Sequence, residues 1–510
     1  MSDWSSGYNV DLGYTYGYYR EISPAWLNYA AALRGIAAPS GAWRYLELGC
    51  GQGVGLVLLA ALHPDHEFVG IDFNPLHIAH ARALAASAGL GNISFHEADF
   101  VELAAEWPSA WGKFDYVTAH GIYSWLAEPV RRGLVGTIDK ATAPGALVYI
   151  SYNALPGWIS TFPVQHLFRL WQTSEALQSV KAISTGIERF RGLMEAGSAM
   201  TRLLPAIQGR IDQMEKLDRS YLVQEYLHDN WHPMWFDAVA AEMSAAKLVH
   251  VGTATVGDLY LAGVLPQPQK DQLARYDNPV VREVMIDVLV NQTFRRDVFA
   301  RGNAPRWPAA QAEFLKATTF ALAKRPENDE IKFRLSVGEV SGRAEVYVPL
   351  LDALAAGPKS LGALLNVTGP AQRTLAETVQ AITLMLHAGM VTLWAPPLDK
   401  RPANALNKAI TAAVAEGAPY RYLVAAETGA VLQADHTDII MLHAVFADPQ
   451  IMESDALAGK LIDGVIALGK GLVKDGQPLR DRVSMLPYAR TLATAFLETT
   501  LPKWKAQGIA

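Results

Sequence analysis

An α/β fold, a parallel sheet wound on both faces by helices, is predicted for roughly the first 160 residues of this 510-residue chain. Three observations predict it. Strand-like and helical runs alternate between residues 43 and 152, a glycine-rich turn separates the first strand from the first helix, and long helical patterns replace the alternation from about 160. Such alternation builds a parallel sheet covered by helices, and ligands of these sheets bind at the carboxyl ends of the strands.

The elements follow in order. WRYLEL (43–48), EFVGID (67–72), NISFHEAD (92–99), KFDYVTAH (113–120) and ALVYISY (146–152) read as five strands. VGLVLLAAL (54–62) and PLHIAHARALAASAG (75–89) read as helices, the first too short to span a membrane and better placed in a core. Chemistry is expected just after residues 48, 72, 99, 120 and 152. A mainly helical segment follows over 161–340, with its longest pattern at 163–194. The mixed stretch KRPENDEIKFRLSVGEVSGRAEV reads as a linker or edge strands. From 341 to 510 short helices run into a strand, for instance at 368–394, which is a winged-helix-like α+β pattern.

Composition narrows the function classes. With 44 basic and 50 acidic residues the net charge is −6, so no whole-chain pull toward nucleic acid or anionic lipid exists. The 368–394 stretch holds only Arg373 as a basic residue, which argues against DNA recognition by a winged helix there. The single cysteine, Cys50, excludes an intrachain disulfide and a cysteine-rich zinc site. His228 and His232 are spaced i, i+4, but Pro233 ends any helix there and no third ligand is apparent, so both are read as packing residues and no metal is expected. The first 19 residues lack a basic and an apolar signal region, so a cytoplasmic protein is expected.

The sharpest signal is ELGCGQG at 47–53. Gly49, Gly51 and Gly53 permit a tight backbone turn at a helix N-terminus, where N–H groups can receive an anionic group. The dinucleotide fingerprint needs glycines at positions one, three and six; Val54 or Leu56 stands at the sixth, so it fails in both registers. G-x-G-x-G preceded by an acidic residue resembles motif I of the class I S-adenosylmethionine-dependent methyltransferases, whose domain is Rossmann-like. That resemblance implies S-adenosyl-L-methionine as cofactor and S-adenosyl-L-homocysteine as product. Asp72, some twenty residues on in GIDFNP and followed by Phe73, is placed to accept the ribose hydroxyls. By the same resemblance Asp99 accepts from the adenine amino group with Phe100 beside the ring, and Glu47 lies near the cofactor's amino group. Cys50, inside the loop, is read as a small packing residue.

The acceptor is expected beyond the fourth and fifth strands, at AHGIYSW (119–125) and SYNALPGW (151–158). An Asn/Asp-Pro-Pro-aromatic tetrad, common in methyltransferases of amines and bases, is absent. In its place stand His120, Tyr123, Trp125 and Tyr152, with Asn153 and Trp158 at the same rim. His120 is a candidate general base, or a ligand of the loop and cofactor; Tyr123 and Trp125 are candidates for an alkyl-ammonium slot or for packing. Six of the 19 tyrosines fall within the first 29 residues. The segment GYTYGYYREISPAW (13–26) is read as a lid, with Tyr14, Tyr16, Tyr18 and Tyr19 as cofactor contacts and Gly13 and Gly17 as hinges; an ordinary helix–loop packed on the sheet is the alternative.

Together with QEYLHDNWHPMWFDAVAAEM (224–243), VGTATVGDLYL (251–261), QTFRRDVFARG (292–302) and RYLVAAETGAVL (421–432), these motifs resemble one bacterial family. Its members are protein-lysine methyltransferases of outer-membrane proteins that carry a methyltransferase regulatory domain and a winged-helix-like end. The resemblance implies methyl transfer to a protein side chain, a lysine amine first. A small metabolite or saccharide acceptor, and a non-catalytic S-adenosylmethionine-binding regulator, stay open. The expected partners are the methyl acceptor and, in a homodimer, a second copy of the chain, with neither nucleic acid nor membrane insertion.

Overall fold

The computed structural model describes residues 16–302, 305–367 and 373–510. Gly13 and Tyr14 of the expected lid lie outside them. A seven-stranded sheet forms the centre, built from β1 (Arg44–Leu48), β2 (Glu67–Asp72), β3 (Ile93–Glu97), β4 (Phe114–Ala119), β5 (Thr142–Asn153), β6 (Val249–Thr253) and β7 (Phe294–Ala300). Its order is β3-β2-β1-β4-β5-β7-β6. The first five strands are parallel, and β7 runs antiparallel between β5 and β6. Strands buried on both faces need continuous apolar runs, which is why β2 and β4 show almost no alternation.

Local chemistry starts the helices. Ser23 caps α1 (Pro24–Leu33), accepting from Trp26 N with proline at the first helical position. Asn74 caps α3 (Pro75–Ser87) in the same way, and Asp99 caps α4 (Phe100–Ala105) through Val101 N at 2.7 Å and Glu102 N at 3.3 Å. Between α1 and α3, α2 (Val54–Leu62) is apolar all round and buried at every position but Gly55. Such a helix needs cover on both sides. The sheet supplies one, and the helix Arg401–Ala415 of the C-terminal part supplies the other. The core on that face therefore runs unbroken from β1 to the C-terminal helices.

The opposite face packs α4 and α5 (Glu128–Ala141) around a second core. There Gly133 is obligatory, because a Cβ would meet the Phe100 and Val101 backbone at 2.8–2.9 Å.

The sheet does not stop near 160. β6 and β7 come from within the segment expected to be a separate helical domain; helices also fill the stretch between those two strands, and the part between β5 and β6 forms a helical insert. This insert comprises α6 (Phe162–Ser174), α7 (Ser179–Glu195), α8 (Ala199–Leu203), α9 (Ala206–Met214), α10 (Arg219–Tyr226) and α11 (Phe236–Ala245). The single pattern seen at 163–194 is broken between α6 and α7, where Ala176 takes a φ of 49°. The insert carries its own small core around Trp158, Phe168, Phe190 and Trp231, seated above the ends of β4 and β5.

Further on, β8 (Thr319–Leu322) is the central strand of an antiparallel sheet with β11 (Lys359–Ser360) and β12 (Val391–Leu393), beside the helices Ala344–Ala355, Leu361–Leu365 and Leu375–His387. That cluster thus begins upstream of the expected boundary at 341. The mixed-charge stretch folds as a hairpin of β9 (Lys332–Leu335) and β10 (Gly338–Ser341), and RYLVAAETGAVL as a hairpin of β13 (Tyr422–Ala425) and β14 (Ala430–Gln433). Among the described residues no helix is long and apolar enough to cross a membrane.

Candidate active site

The loop from β1 to α2 is held by its own backbone. Gly49 N and Cys50 N both donate to Ile71 O at the end of β2, and Gly53 N donates to Cys50 O. Gly49, Gly51 and Gly53 all take positive φ, at 72°, 52° and 72°. At Gly53 packing adds to conformation, since a Cβ would lie 2.5 Å from Ala81 Cβ and 2.9 Å from Phe95 Cε1. Gly53→Ala is expected to lower stability by about 2–4 kcal/mol, from the left-handed penalty plus overpacking, read as a fall in the thermal unfolding midpoint.

Asp72 is 5% exposed and faces this loop. Oδ2 accepts from Gly51 N at 2.9 Å, while Oδ1 accepts from Asn74 N at 2.9 Å and lies 3.1 Å from His77 Nδ1. The carboxylate therefore braces the loop, and ribose hydroxyls have to add to bonds it already makes. Glu47 stands beside it on β1, buried, with Oε2 lacking any hydrogen-bond partner among the described residues. Burial, reinforced by the Asp72 charge, pushes its carboxyl up to about 8. A buried polar atom left unpaired is costly, and a cationic amine brought by a ligand would satisfy it. Cys50 is a half-buried thiol that desolvation and the two carboxylates hold in its neutral form, with Sγ turned toward Gly70.

Asp99 spends one oxygen on capping α4 and keeps the other open. Phe100 is drawn into the core of α4 and α5, so the side chain left exposed beside Asp99 is Val101 rather than Phe100. Phe73, next to Asp72, is half-buried.

The tyrosine-rich segment divides its contacts. Tyr16 meets the His80 and Tyr420 rings edge-on, and Tyr18 packs against Tyr422, so these two hold the segment to the C-terminal hairpin. Tyr19 reaches the site instead, lying over His120 with ring centroids 3.7 Å apart. His80 ties both parts together: Nδ1 bonds Gln52 O in the glycine loop and Nε2 bonds Tyr420 Oη, each at 2.7 Å.

Beyond β4 and β5 a cleft of about 460 Å³ opens under the insert. His120, Trp125, Asn153 and Trp158 line it from the strand ends, Tyr19 from the N-terminal segment, and Phe294 and Arg296 from β7. The insert adds Arg210, Tyr221, Glu225 and Tyr226.

Three sequence expectations are corrected here. His120 is a poor base: burial, with the Arg296 charge, lowers its imidazole to about 3, and Nδ1 already bonds Tyr149 Oη at 2.9 Å. Tyr123 is fully buried and donates to Glu242 on α11, away from the cleft, with Arg131 on the same carboxylate. Tyr152 is equally buried and donates to Asp297 Oδ2 at 2.7 Å, within the Arg295–Asp287–Asp297 ion cluster. Trp125 does line the cleft. His228 packs against Trp125, ring centroids 5.0 Å apart.

Glu225 was not anticipated. It is half-buried, 3.4 Å from Asn153 Nδ2, and burial pushes its carboxyl up to about 7 against the opposing effects of Asn153, Arg210 and Tyr221. Its only sequence signal is an acid beside the aromatic and apolar residues Tyr221, Leu222, Val223 and Tyr226 of α10.

The strand order, the reversed seventh strand and the glycine loop against Asp72 define a class I S-adenosylmethionine-dependent methyltransferase. The chain matches the methyltransferase domain family over residues 40–196 and the predicted methyltransferase regulatory domain over 218–301, so it is a methyltransferase carrying that regulatory domain. An uncharacterized protein of Synechocystis sp. is 29% identical over 514 residues, covering 99% of this chain and 100% of its own. The uncharacterized protein RP789 of Rickettsia prowazekii is 28% identical over 54% of this chain and 49% of its own. Among solved structures, PKMT2 from Rickettsia typhi in complex with AdoHcy superimposes with a TM-score of 0.71 at 17% identity, over 96% of this chain and 99% of that one.

Proposed function

We propose that this methyltransferase methylates a lysine side chain of a protein. The observation that carries the reading is Glu225, a carboxylate poised near neutrality in an aromatic-walled cleft at the ends of β4 and β5. Trp125, Trp158, Tyr221 and Tyr226 suit the aliphatic stem and charged head of a lysine, since aromatic faces attract cations by about 0.5–2 kcal/mol. The full-length likeness to PKMT2 is in keeping with it.

S-adenosylmethionine supplies an electrophilic methyl group on a sulfonium. In this reading Glu47 meets the cofactor's ammonium, the Gly49–Gly53 turn its carboxylate end, Asp72 the ribose and Asp99 the adenine. Glu225 draws in the acceptor's ammonium and takes its proton, which leaves a neutral amine for in-line attack. In this reading Tyr19 and His120, in ring contact in the wall of the cleft, exclude water from the reacting groups. A rate that rises with pH through about 7 is the signature of such a base. Labelled methyl transfer into a lysate, followed by separation of protein and small-molecule fractions, tests the acceptor class: label in N-methyl-lysine supports it, and label confined to small molecules overturns it. Arg210 and Arg296 in the same wall favour a second reading, a small carboxylate-bearing acceptor, which that separation detects.

Glu47 yields a separate expectation. Its carboxyl is protonated at neutral pH in the free protein and is driven to ionise by an adjacent ammonium, so binding expels a proton. Affinity for S-adenosylhomocysteine should fall about tenfold per pH unit as pH drops below about 8. Calorimetry in buffers of different ionisation enthalpy reads the released proton, and Glu47→Gln should abolish it.

A further inference from the structure

A second cleft, of about 720 Å³, lies between the N-terminal segment, α2 and the C-terminal sheets, and shares Tyr19 and Arg296 with the acceptor cleft. Its outer walls are two strand edges. β12 is the last strand of its sheet and β14 the last of its hairpin. Ala395 N donates to Thr428 O where the two strands come together, and from that point they diverge without pairing.

The register tells which groups face the gap. Trp394 N bonds Thr319 O and Ala323 N bonds Met390 O, so in the β12–β8 pairing residues 390, 392 and 394 turn their backbone toward β8. Leu393 therefore presents its N–H and C=O groups to the cleft, while Val391, in the same phase, is buried. By the same alternation Ala434 N bonds Arg421 O, so Val431 and Gln433 of β14 point away from β13. The other edge of the hairpin is treated differently. There Asn407 clasps Val424, its Oδ1 accepting from Val424 N and its Nδ2 donating to Val424 O, both at 2.8 Å. One edge is sealed by a buried amide, and the edge that faces the cleft is left open.

We infer that this cleft docks an extended segment of the protein acceptor, which adds as a strand against Val431 and Gln433 of β14 and faces Leu393 of β12. Such an addition would join the two sheets into one. Backbone pairing gives affinity with little demand on sequence, and alternate side chains point into the cleft or out of it. Two observations select a substrate segment as the occupant. Continuity comes first: Tyr19 and Arg296 line both this cleft and the acceptor cleft, so the two adjoin. Charge comes second, since Arg20, Lys324 and Arg296 outnumber Glu21 along it and favour acidic residues flanking the methylated side chain. The inference rests on the protein-acceptor reading above.

The test uses the full chain, a pool of peptides of about ten residues with a central lysine and randomised acidic or polar flanks, and Nα-acetyl-lysine amide as the flank-free acceptor. Val431→Pro removes an outward N–H and leaves the ladder to β13 intact. It should raise KM for the peptide pool about five- to tenfold, with S-adenosylhomocysteine affinity and kcat/KM for Nα-acetyl-lysine amide unchanged. Hydrogen exchange on the unaltered protein supplies a readout independent of folding of the variant: the Leu393, Val431 and Gln433 amides should slow when the pool is added. Slowed exchange without methylation of any peptide supports docking and overturns the lysine reading alone. Methylation of the pool at an unchanged KM by Val431→Pro, with no slowed amides, overturns the inference. So does loss of a dimer on that substitution with peptide kinetics unaffected, which assigns the edge to a second copy.

Discussion

Replacing Asp72 by alanine is expected to cost about 3–5 kcal/mol of folding stability and to bring S-adenosylhomocysteine binding below detection. The side chain is almost fully buried and holds three donors at once, Gly51 N, Asn74 N and His77 Nδ1. Alanine leaves two backbone N–H groups and an imidazole nitrogen without acceptors in a region water cannot reach. It also frees Gly51, whose positive φ is held in place by that bond. Asp72→Asn separates the two effects, because an amide keeps an acceptor for one N–H and loses the charge. Thermal unfolding reads the stability, and calorimetric titration reads the binding. A variant with wild-type affinity would show that the loop keeps its shape without the brace.

The second large effect falls on turnover alone. Glu225→Gln is expected to lower kcat/KM for the methyl acceptor about 10²–10³-fold, the range for loss of a positioned proton acceptor. The amide fills the same space and can still bond Asn153, so stability and cofactor affinity should hold. In the unaltered enzyme the fraction of ionised Glu225 grows as pH rises through about 7, and the acceptor amine deprotonates in the same direction. Log kcat/KM should therefore climb with a slope of about one below that pH. The variant should lose the inflection as well as the rate. A variant that keeps the inflection places the base elsewhere.

The two halves of the site differ in how far their sequence neighbourhood determines them. Glu47, the three glycines, Asp72 and Asp99 stand at or just past the end of a strand, and those positions can be read from the local strand–turn–helix order. The acceptor half depends on which face of an element a residue takes. Along β5, Ser151 turns to His120 and Gly121, Asn153 turns to Glu225, and Tyr152 between them must point the other way, to Asp297. Strand alternation carried that information, but the aromatic cluster suggested a common rim. Arg295 and Arg296 on β7 divide in the same manner, one into the buried carboxylates and one into the cleft. Glu225 was out of reach for another reason. It comes to Asn153 across 72 positions of chain, through packing of a helical lobe whose placement no short-range pattern encodes. The boundary near 160 failed because β6 and β7 lie far along the chain from the first five strands and are separated from each other by helices.

The late return of β7 has a consequence for how the chain is made. On a ribosome the five parallel strands emerge first, and the apolar β5 keeps one unpaired edge until residues 294–300 follow, some 140 residues later. Translation at about 5–20 residues per second leaves that edge open for several seconds or more, the interval in which unpaired strands recruit one another. The helical lobe between them is synthesised in just this window, and its own core lets it fold above the ends of β4 and β5 before the sheet is closed.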